Sequence, residues 1–282
     1  MARQDATSLY QVDDNTKLKL MEKYGAVIEA VKAGALSLSL KAQAYSGDPK
    51  AGSVEYRRLQ TAASKTYGTA RSNAAGDKIK ADPITVNLNT HREIVEEFKK
   101  MEVERLGVDN LVGRRQQAHV LSMITELDTA FFAQAVSAGS EVDVSGEAAV
   151  KDKVEALIRD VESTENEYIP KGIDRSFLVL ALSPAYYDAL EDYINTLPNP
   201  ANGGVKMDVF KRVRVVPNLN QTKDAIVMAT ESIAQPVSIM PYETDDIPLS
   251  ADQAVQMFYD YGTKALMPDL VKYATLGDVA SA

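Results

Sequence analysis

Cysteine is absent from the 282 residues, which excludes a disulfide framework, thiolate metal sites and a cysteine nucleophile together. Histidine is scarce. His91 and His119 are the two present, and neither has a second histidine or a carboxylate pair at ligand spacing, which argues against a metal site. There is no phosphate-cradling glycine motif, no Gly-x-Ser-x-Gly elbow and no His-Glu-x-x-His, so no motif points to an enzyme. No apolar run approaches the roughly eighteen residues needed to cross a bilayer, and Met1 to Ser8 lacks a signal peptide's apolar core. The expectation is a cytoplasmically made protein with no cofactor. Glu243, Asp245 and Asp246 form an acidic knot without the alternating ligands and central glycine of a calcium loop, and a solvated turn is expected there. Asn220-Gln-Thr222 matches a glycosylation pattern, which is irrelevant without an export signal. The thirteen tyrosines are read as core and interface residues with a polar tip.

What is present reads as globular: 45% apolar and 25% charged residues, enough for one large domain or two smaller ones. The net charge of −9 disfavours nucleic acid as a tightly bound partner, since duplex binding draws on clustered lysine and arginine. The charge is uneven, however. Lys50, Arg57, Arg58, Lys65, Arg71, Lys78 and Lys80 face only Glu55, Asp77 and Asp82, a local +4, so the remainder must carry −13 to reach the total of −9.

Val108 to Ala138 contains no proline and only Gly113 as glycine, and it predicts a helix roughly 40 Å or more in length. Arg115, His119, Ser122, Glu126 and Thr129 recur at spacings of four and three and form one narrow polar stripe. Val112, Val120, Leu121, Met123, Ile124, Leu127, Phe131, Phe132 and Val136 occupy most of the remaining circumference. Such a helix needs cover on several sides, from this chain or from copies of it.

Around this spine the chain divides. Residues 1–14 are polar. Thr16 to about Lys32, capped by Asn15 or Thr16, predicts an amphipathic helix, and Ser37-Leu-Ser-Leu40 alternates like an exposed strand. Residues 47–82 hold too few apolar side chains for a core, with strand character at Ser53–Leu59 and Lys78–Ile84; a two-stranded hairpin covered by a neighbour fits this, and so does a loose surface loop. Pro83–Asn89 predicts a strand and Arg92–Arg105 a helix, its outside made acidic by Glu93, Glu96, Glu97, Glu102 and Glu104. Ala149–Ser163 predicts a helix, Phe177–Leu182 a buried strand, and Ser183-Pro184 opens another helix through about Leu197. Three strands follow, at Val209–Val216, Ala225–Thr230 and Ile233–Met240. The tail predicts two strands joined at Pro268, which with residues 84–89 would make a small antiparallel sheet beside the spine.

This order of parts resembles the major capsid proteins of tailed bacteriophages, the Hong Kong 97-type (HK97-like) fold. Asp82–Glu93, Val120–Phe132, Leu178–Tyr187 and Tyr259–Pro268 look like that family locally. The resemblance implies an α+β fold with a long spine helix, a small antiparallel sheet, an extended β-hairpin E-loop and an inserted α/β axial domain. In those terms 1–46 is the N-terminal arm, 47–83 the E-loop, 84–147 with 248–282 the peripheral domain, and 148–247 the axial domain. It also implies self-assembly into hexamers and pentamers of an icosahedral shell around double-stranded DNA, in a virion capsid assembled in the host bacterial cytoplasm, with no membrane and no sequence-specific DNA binding. A portal and decoration proteins are further implied partners. The arm begins within the first fifteen residues, so a separate scaffolding protein is expected.

Under this resemblance the inter-subunit contacts fall on Arg57, Arg58, Lys65, Arg71, Lys78 and Lys80 of the hairpin and on Glu93, Glu96, Glu97, Glu102 and Glu104 of a neighbour. Some family members cross-link an E-loop lysine to an asparagine; Lys65, Lys78 and Lys80 are available, but no acceptor is identifiable. Two alternatives stand beside this reading: an encapsulin-like nanocompartment shell around protein cargo, and a soluble enzyme whose site carries no recognisable motif.

Overall fold

The computed structural model describes residues 25–59, 66, 81–99, 108–196, 213–215, 223–246 and 253–277. It opens with helix α1 (25–34), the described part of the expected N-terminal helix. Val27 and Val31 lie one turn apart on its buried face. Gly34 ends it, with a Cβ there meeting the tip of the Ile124 side chain of the long helix at 2.6 Å.

Ser37-Leu-Ser-Leu40 is helical, not the expected strand: α2 spans Leu36–Leu40. The cause lies far along the chain. Asp128 accepts hydrogen bonds from the backbone N–H groups of Ser37 (2.9 Å) and Leu36 (3.3 Å), which satisfies the orphan donors of a helical turn that Ala35 cannot cap. That turn buries Ser37 and Leu40, three residues apart.

A 3-10 turn at Pro49–Ala51, capped by the Asp48 carboxylate and closed by Gly52 at φ 84°, leads into β1 (Ser53–Leu59). β1 pairs antiparallel with β2 (Ala81–Asn87), from Ser53 opposite Asn87 to Leu59 opposite Ala81. The first leg forms as expected; the second takes in the end of the expected Lys78–Ile84 and most of the strand expected separately at Pro83–Asn89, and the expected turn between the legs lies outside the described residues. Val54, Tyr56 and Val86 face inward onto Ala42, Ala234 and Leu266.

Residues 90–98 form a strand, β3 (Thr90–Phe98), where a helix over Arg92–Arg105 is expected. It pairs along its whole length with a distant strand, Tyr261 opposite Thr90 through Gln253 opposite Phe98. Nine residues of ladder override a helical charge pattern that isolated propensity only weakly favours. Residues 100–107, with Glu102 and Glu104, lie outside the described part.

The long helix α3 spans Val108–Ala138, as expected. Its 31 residues reach about 46 Å at 1.5 Å each. Gly139 stops it: a Cβ there would sit 2.7 Å from the carbonyl oxygens of both Ala135 and Val271. β4 (Ser140–Glu141) follows, then helix α4 (Val150–Glu162), whose Val154, Leu157, Ile158 and Val161 make one buried stripe. β5 (Leu178–Leu182) is buried throughout, and helix α5 (Pro184–Thr196) follows it. The remaining strands are β6 (Val213–Val215), β7 (Ala225–Ala229), β8 (Ile233–Ala234), β9 (Val237–Ile239), β10 (Glu243–Asp246), β11 (Gln253–Tyr261), β12 (Lys264–Ala265) and β13 (Val271–Ala274). The acidic knot at Glu243–Asp246 is therefore a paired strand, not a solvated turn, because it ladders onto β11.

Two sheets share α3. The larger has the order β4-β13-β7-β5-β6. Alternation sorts its residues: Leu178, Leu180 and Leu182 face α4 and α5, while Val179, Ala181, Ile226 and Met228 face Phe131, Phe132 and Ala135 of α3. In the other sheet β11 lies between β3 on one side and β10 and β9 on the other, and Val255, Met257, Tyr259 and Tyr261 pack on Met123 and Leu127, with α1 closing the same cluster.

The tail does not pair with residues 84–89 as expected. β11 takes β3, β12 takes β8, and β13 enters the larger sheet beside β7. The 3-10 turn at Pro268–Leu270 redirects the chain between them, since proline cannot continue a ladder. Where the tail passes the hairpin, Gly262 sits so tightly that a Cβ would fall 1.9 Å from the Asn87 carbonyl oxygen.

Gly262→Ala is accordingly expected to lose about 1–3 kcal/mol of stability through forced backbone displacement. Gly146→Ala, where a Cβ meets nothing within 4 Å, is the control and should stay within about 0.5 kcal/mol. Denaturant unfolding of both variants measures the difference.

Candidate functional site

The charged residues singled out in the sequence fall into three groups: those that clamp the fold, those that face outward, and those outside the described residues. Lys65, Arg71, Lys78, Lys80, Glu102 and Glu104 belong to the last. Arg57 and Arg58 are adjacent on β1 and so point to opposite faces of the hairpin. Arg57 is 60% exposed and pairs with Glu55 at 2.9 Å, leaving its cation available at the surface. Arg58 is 12% exposed and donates to both Asp269 oxygens at 2.7 Å, with the Tyr168 ring 4.1 Å away. Asn166 adds a donor to Asp269, and the Tyr168 hydroxyl donates to Asp82, the residue opposite Arg58 in the hairpin register. Burial alone would raise the Asp269 carboxyl, but the Arg58 hydrogen bonds outweigh it and hold the group below the usual carboxylate range. The root of the hairpin is thereby bolted to the body on one face and open on the other.

The root also contains Tyr56, whose hydroxyl is buried without a hydrogen-bond partner. Burial, reinforced by the nearby Tyr45 ring, pushes it up to about 12.

The polar stripe of α3 divides in the same way. Ser122 and Thr129 face outward, whereas Glu126 and His119 turn toward the smaller sheet. Glu126 accepts from the hydroxyls of Tyr259 (2.6 Å) and Tyr261 (2.9 Å) and from Arg92. Burial opposes its ionisation, yet the three donors prevail and keep its carboxyl below the ordinary value. His119 is 5% exposed; its Nδ1 lies 2.9 Å from the Tyr242 hydroxyl and its Nε2 lies 3.2 Å from Glu96 Oε1. Arg115 reaches the same Glu96 oxygen at 3.0 Å. Glu96 is therefore engaged within the chain, across the helix-to-sheet seam. Its neighbours Glu93 and Glu97 point the other way on β3 and are exposed, with Val95, 48% exposed, between them.

Other outward features escaped the sequence. Leu121 is 65% exposed beside Ala118, Ser122, Thr125, Thr129 and Ala133, where the outer side of α3 lines a groove of about 680 Å³. The near-continuous apolar pattern of α3 signalled incomplete cover, but not which side would lack it. Among the described residues no cluster of three or more His, Asp or Glu is arranged to hold a metal ion, and no helix is long and apolar enough to cross a membrane. Among the described residues the arrangement leaves Arg57 exposed on one face of the hairpin legs, Glu93 and Glu97 on the outer face of β3, and Leu121 on the outer side of α3.

The Glu126 node makes a pH-dependent contribution whose direction follows from its depressed carboxyl. An unfolded glutamate titrates near about 4.3, so the stabilisation is complete above that value and is lost as pH falls through the lower folded one. Glu126→Gln should cost about 1–3 kcal/mol at neutral pH. Thermal unfolding of the native chain and the variant should converge as the pH is brought below the carboxylate range.

No protein-family model matches the chain, and no curated protein matches it. Solved structures do. The capsid structure of the cyanophage P-SCSP1u has a TM-score of 0.53 at 12% identity, over 83% of this chain and 85% of that one. The asymmetric unit of the mature capsid of bacteriophage PhiM1 gives 0.52 at 13%, over 85% and 84%. The crystal structure of a virus-like particle from Pyrococcus furiosus gives 0.57 at 13%, over 89% and 96%. Spine helix, paired hairpin legs and α/β sheet lie in one α+β architecture, and the chain has the Hong Kong 97-type capsid fold.

Proposed function

We propose that this chain is the major capsid protein of a tailed bacteriophage, self-assembling as hexamers and pentamers into the icosahedral shell around a double-stranded DNA genome. The observation that carries the reading is a fold shared with phage capsid structures over more than four-fifths of both chains. The divisions expected for the fold apply on this reading: arm 1–46, E-loop 47–83, peripheral domain 84–147 with 248–282, and axial domain 148–247. Because β13 stands in the larger sheet, the return segment ties the axial domain to the spine.

In such a shell the hairpin reaches over an adjacent subunit. Arg57, with Lys65, Arg71, Lys78 and Lys80 further along, rests on acidic surface such as Glu93 and Glu97, and on Glu102 and Glu104. Arg58 and Glu96 support these surfaces from inside the chain. Each exposed ion pair contributes only about 0–1 kcal/mol and is screened beyond roughly 8 Å at physiological salt. A closed shell repeats the contact around every subunit, so assembly is cooperative while single errors stay reversible. The role is structural, with a separate scaffolding protein, a portal and decoration proteins as partners, assembly in the host cytoplasm, and DNA held without sequence-specific contacts.

Arg57→Glu tests the hairpin's part. The variant should keep the unfolding midpoint of the native chain, because Arg57 is exposed, and should fail to form shells in sedimentation and negative-stain images. Shells of native yield would remove the hairpin charge from the account. Arg58→Glu is the wrong probe, since it breaks the Asp269 clamp as well.

A second, less supported reading is a nanocompartment shell around protein cargo; the likeness to a virus-like particle from Pyrococcus furiosus fits a shell of either kind. Purified particles decide between the two: nuclease-protected DNA is expected, and a protein cargo with no DNA would favour the compartment.

A further inference from the structure

Two sheets and α1 cover α3, yet its outer side stays in solvent. From Gln117 to Ser137 eight positions are exposed and none is charged, in a chain that is 25% charged. At 1.5 Å per residue this uncharged strip runs about 30 Å, and a helix face that stays in water normally carries charge along such a length. The two carboxylates in the stretch are engaged elsewhere, Glu126 with Tyr259 and Tyr261 and Asp128 with the first turn of α2.

The threonine hydroxyls on the strip are also spent. Thr125 donates to the Leu121 carbonyl at 2.8 Å and Thr129 to the Thr125 carbonyl at 2.6 Å, which leaves their methyl groups as the part a partner meets. Leu121 stands 65% exposed among these small residues, beside the groove of about 680 Å³. It is a knob next to a hole. The order of sizes along the groove selects what fills it. Reflected about the point between Thr125 and Glu126, Ala118 falls opposite Ala133, Leu121 opposite Ala130 and Ser122 opposite Thr129. A second α3 laid antiparallel on the first therefore sets each Leu121 against an alanine, and small residues against small ones at both ends. A parallel pair would set Leu121 against Leu121 and leave the alanines facing a gap. The antiparallel pair also opposes the two helix dipoles favourably.

We propose that the outer face of α3 is a two-fold contact between copies of this chain, with the two helices antiparallel and centred between Thr125 and Glu126. Such a contact is isologous, so it closes on itself and joins two subunits only. Its length from Ala118 to Ala133 is about 22 Å, one helix wide, far short of the roughly 800 Å² per partner of a stable interface. The pair is therefore weak in dilute solution and forms where copies are held side by side. For that supply of copies the inference rests on the reading of the chain as a shell subunit, while contact between the helices is measured apart from shell formation.

The chain has no cysteine, so disulfide trapping reports introduced thiols alone. Full-length Thr125→Cys, oxidised and run on a non-reducing gel, should give a linked dimer, because the two copies of position 125 face each other beside the axis. Ala118→Cys alone and Ala133→Cys alone should not link, their copies lying roughly 22 Å apart along the pair, beyond the reach of about 7 Å between Cα atoms. A co-assembled mixture of these two variants should link. Leu121→Glu in the Thr125→Cys chain should lower the linked fraction about tenfold, since the two-fold repeats the change on both helices. Thermal unfolding checks each variant, and the mixture decides the matter if Thr125→Cys is unstable. Self-linking of Ala118→Cys equal to that of Thr125→Cys overturns the proposal. So does the absence of any Thr125→Cys and mixture link in particles seen by negative stain, a result that leaves the shell reading standing. A different protein captured by the Thr125→Cys thiol in place of the dimer gives the face to that partner and ends the proposal. Linked dimers from a chain that never forms particles keep the contact and remove the shell.

Discussion

One helix that is apolar on most of its circumference must be covered by two sheets at once, and the rest of the structure follows from that requirement. The middle of α3 carries Met123 and Leu127 under β11, with α1 closing the cluster; its last turns carry Phe131, Phe132 and Ala135 under the larger sheet. Each of the two phenylalanines contributes roughly 1.5–3 kcal/mol by leaving water. Segments from both ends of the chain are therefore drawn to the same rod. The glycines at 139 and 262 stand where backbone carbonyls approach too closely for a Cβ.

Apolar burial has no direction, so it brings the sheets to the helix without choosing an angle. Hydrogen-bonded carboxylates choose it. Glu126 fastens Tyr259 and Tyr261, Glu96 joins Arg115 and His119, and Asp128 caps α2. Asp269 does the same for the hairpin through Arg58. Some charges that look superficial in the sequence, Arg58 and Glu96 among them, are internal fastenings. Arg57, Glu93 and Glu97 stay exposed, as do Val95 and Leu121.

The hairpin legs cannot shift relative to the body, because the root is held by buried Val54, Tyr56 and Val86 and by the Arg58 clamp.

The sequence by itself determined the elements whose pattern is local. Val108–Ala138 shows unbroken helical periodicity, Val150–Glu162 one apolar stripe, Leu178–Leu182 a short continuous apolar run, and Pro184 a helix start; each forms as expected. Ser53–Leu59 was legible as a strand, but its cover was not: Val54 and Tyr56 are buried on Ala42, Ala234 and Leu266 of the same chain, where cover from a neighbour was expected. The tertiary structure decided whatever depends on a distant partner. Residues 92–98 have charges compatible with either period, and the β11 ladder made them a strand. Leu36–Leu40 alternates like a strand until Asp128, 91 residues beyond Ser37, caps it as a helix. Arg58 reads as a surface cation until Asp269, 211 residues later, receives it. Local periodicity is carried by neighbouring residues and can be read along the chain; a carboxylate's partner is a fact of distance in space, and only folding brings it near.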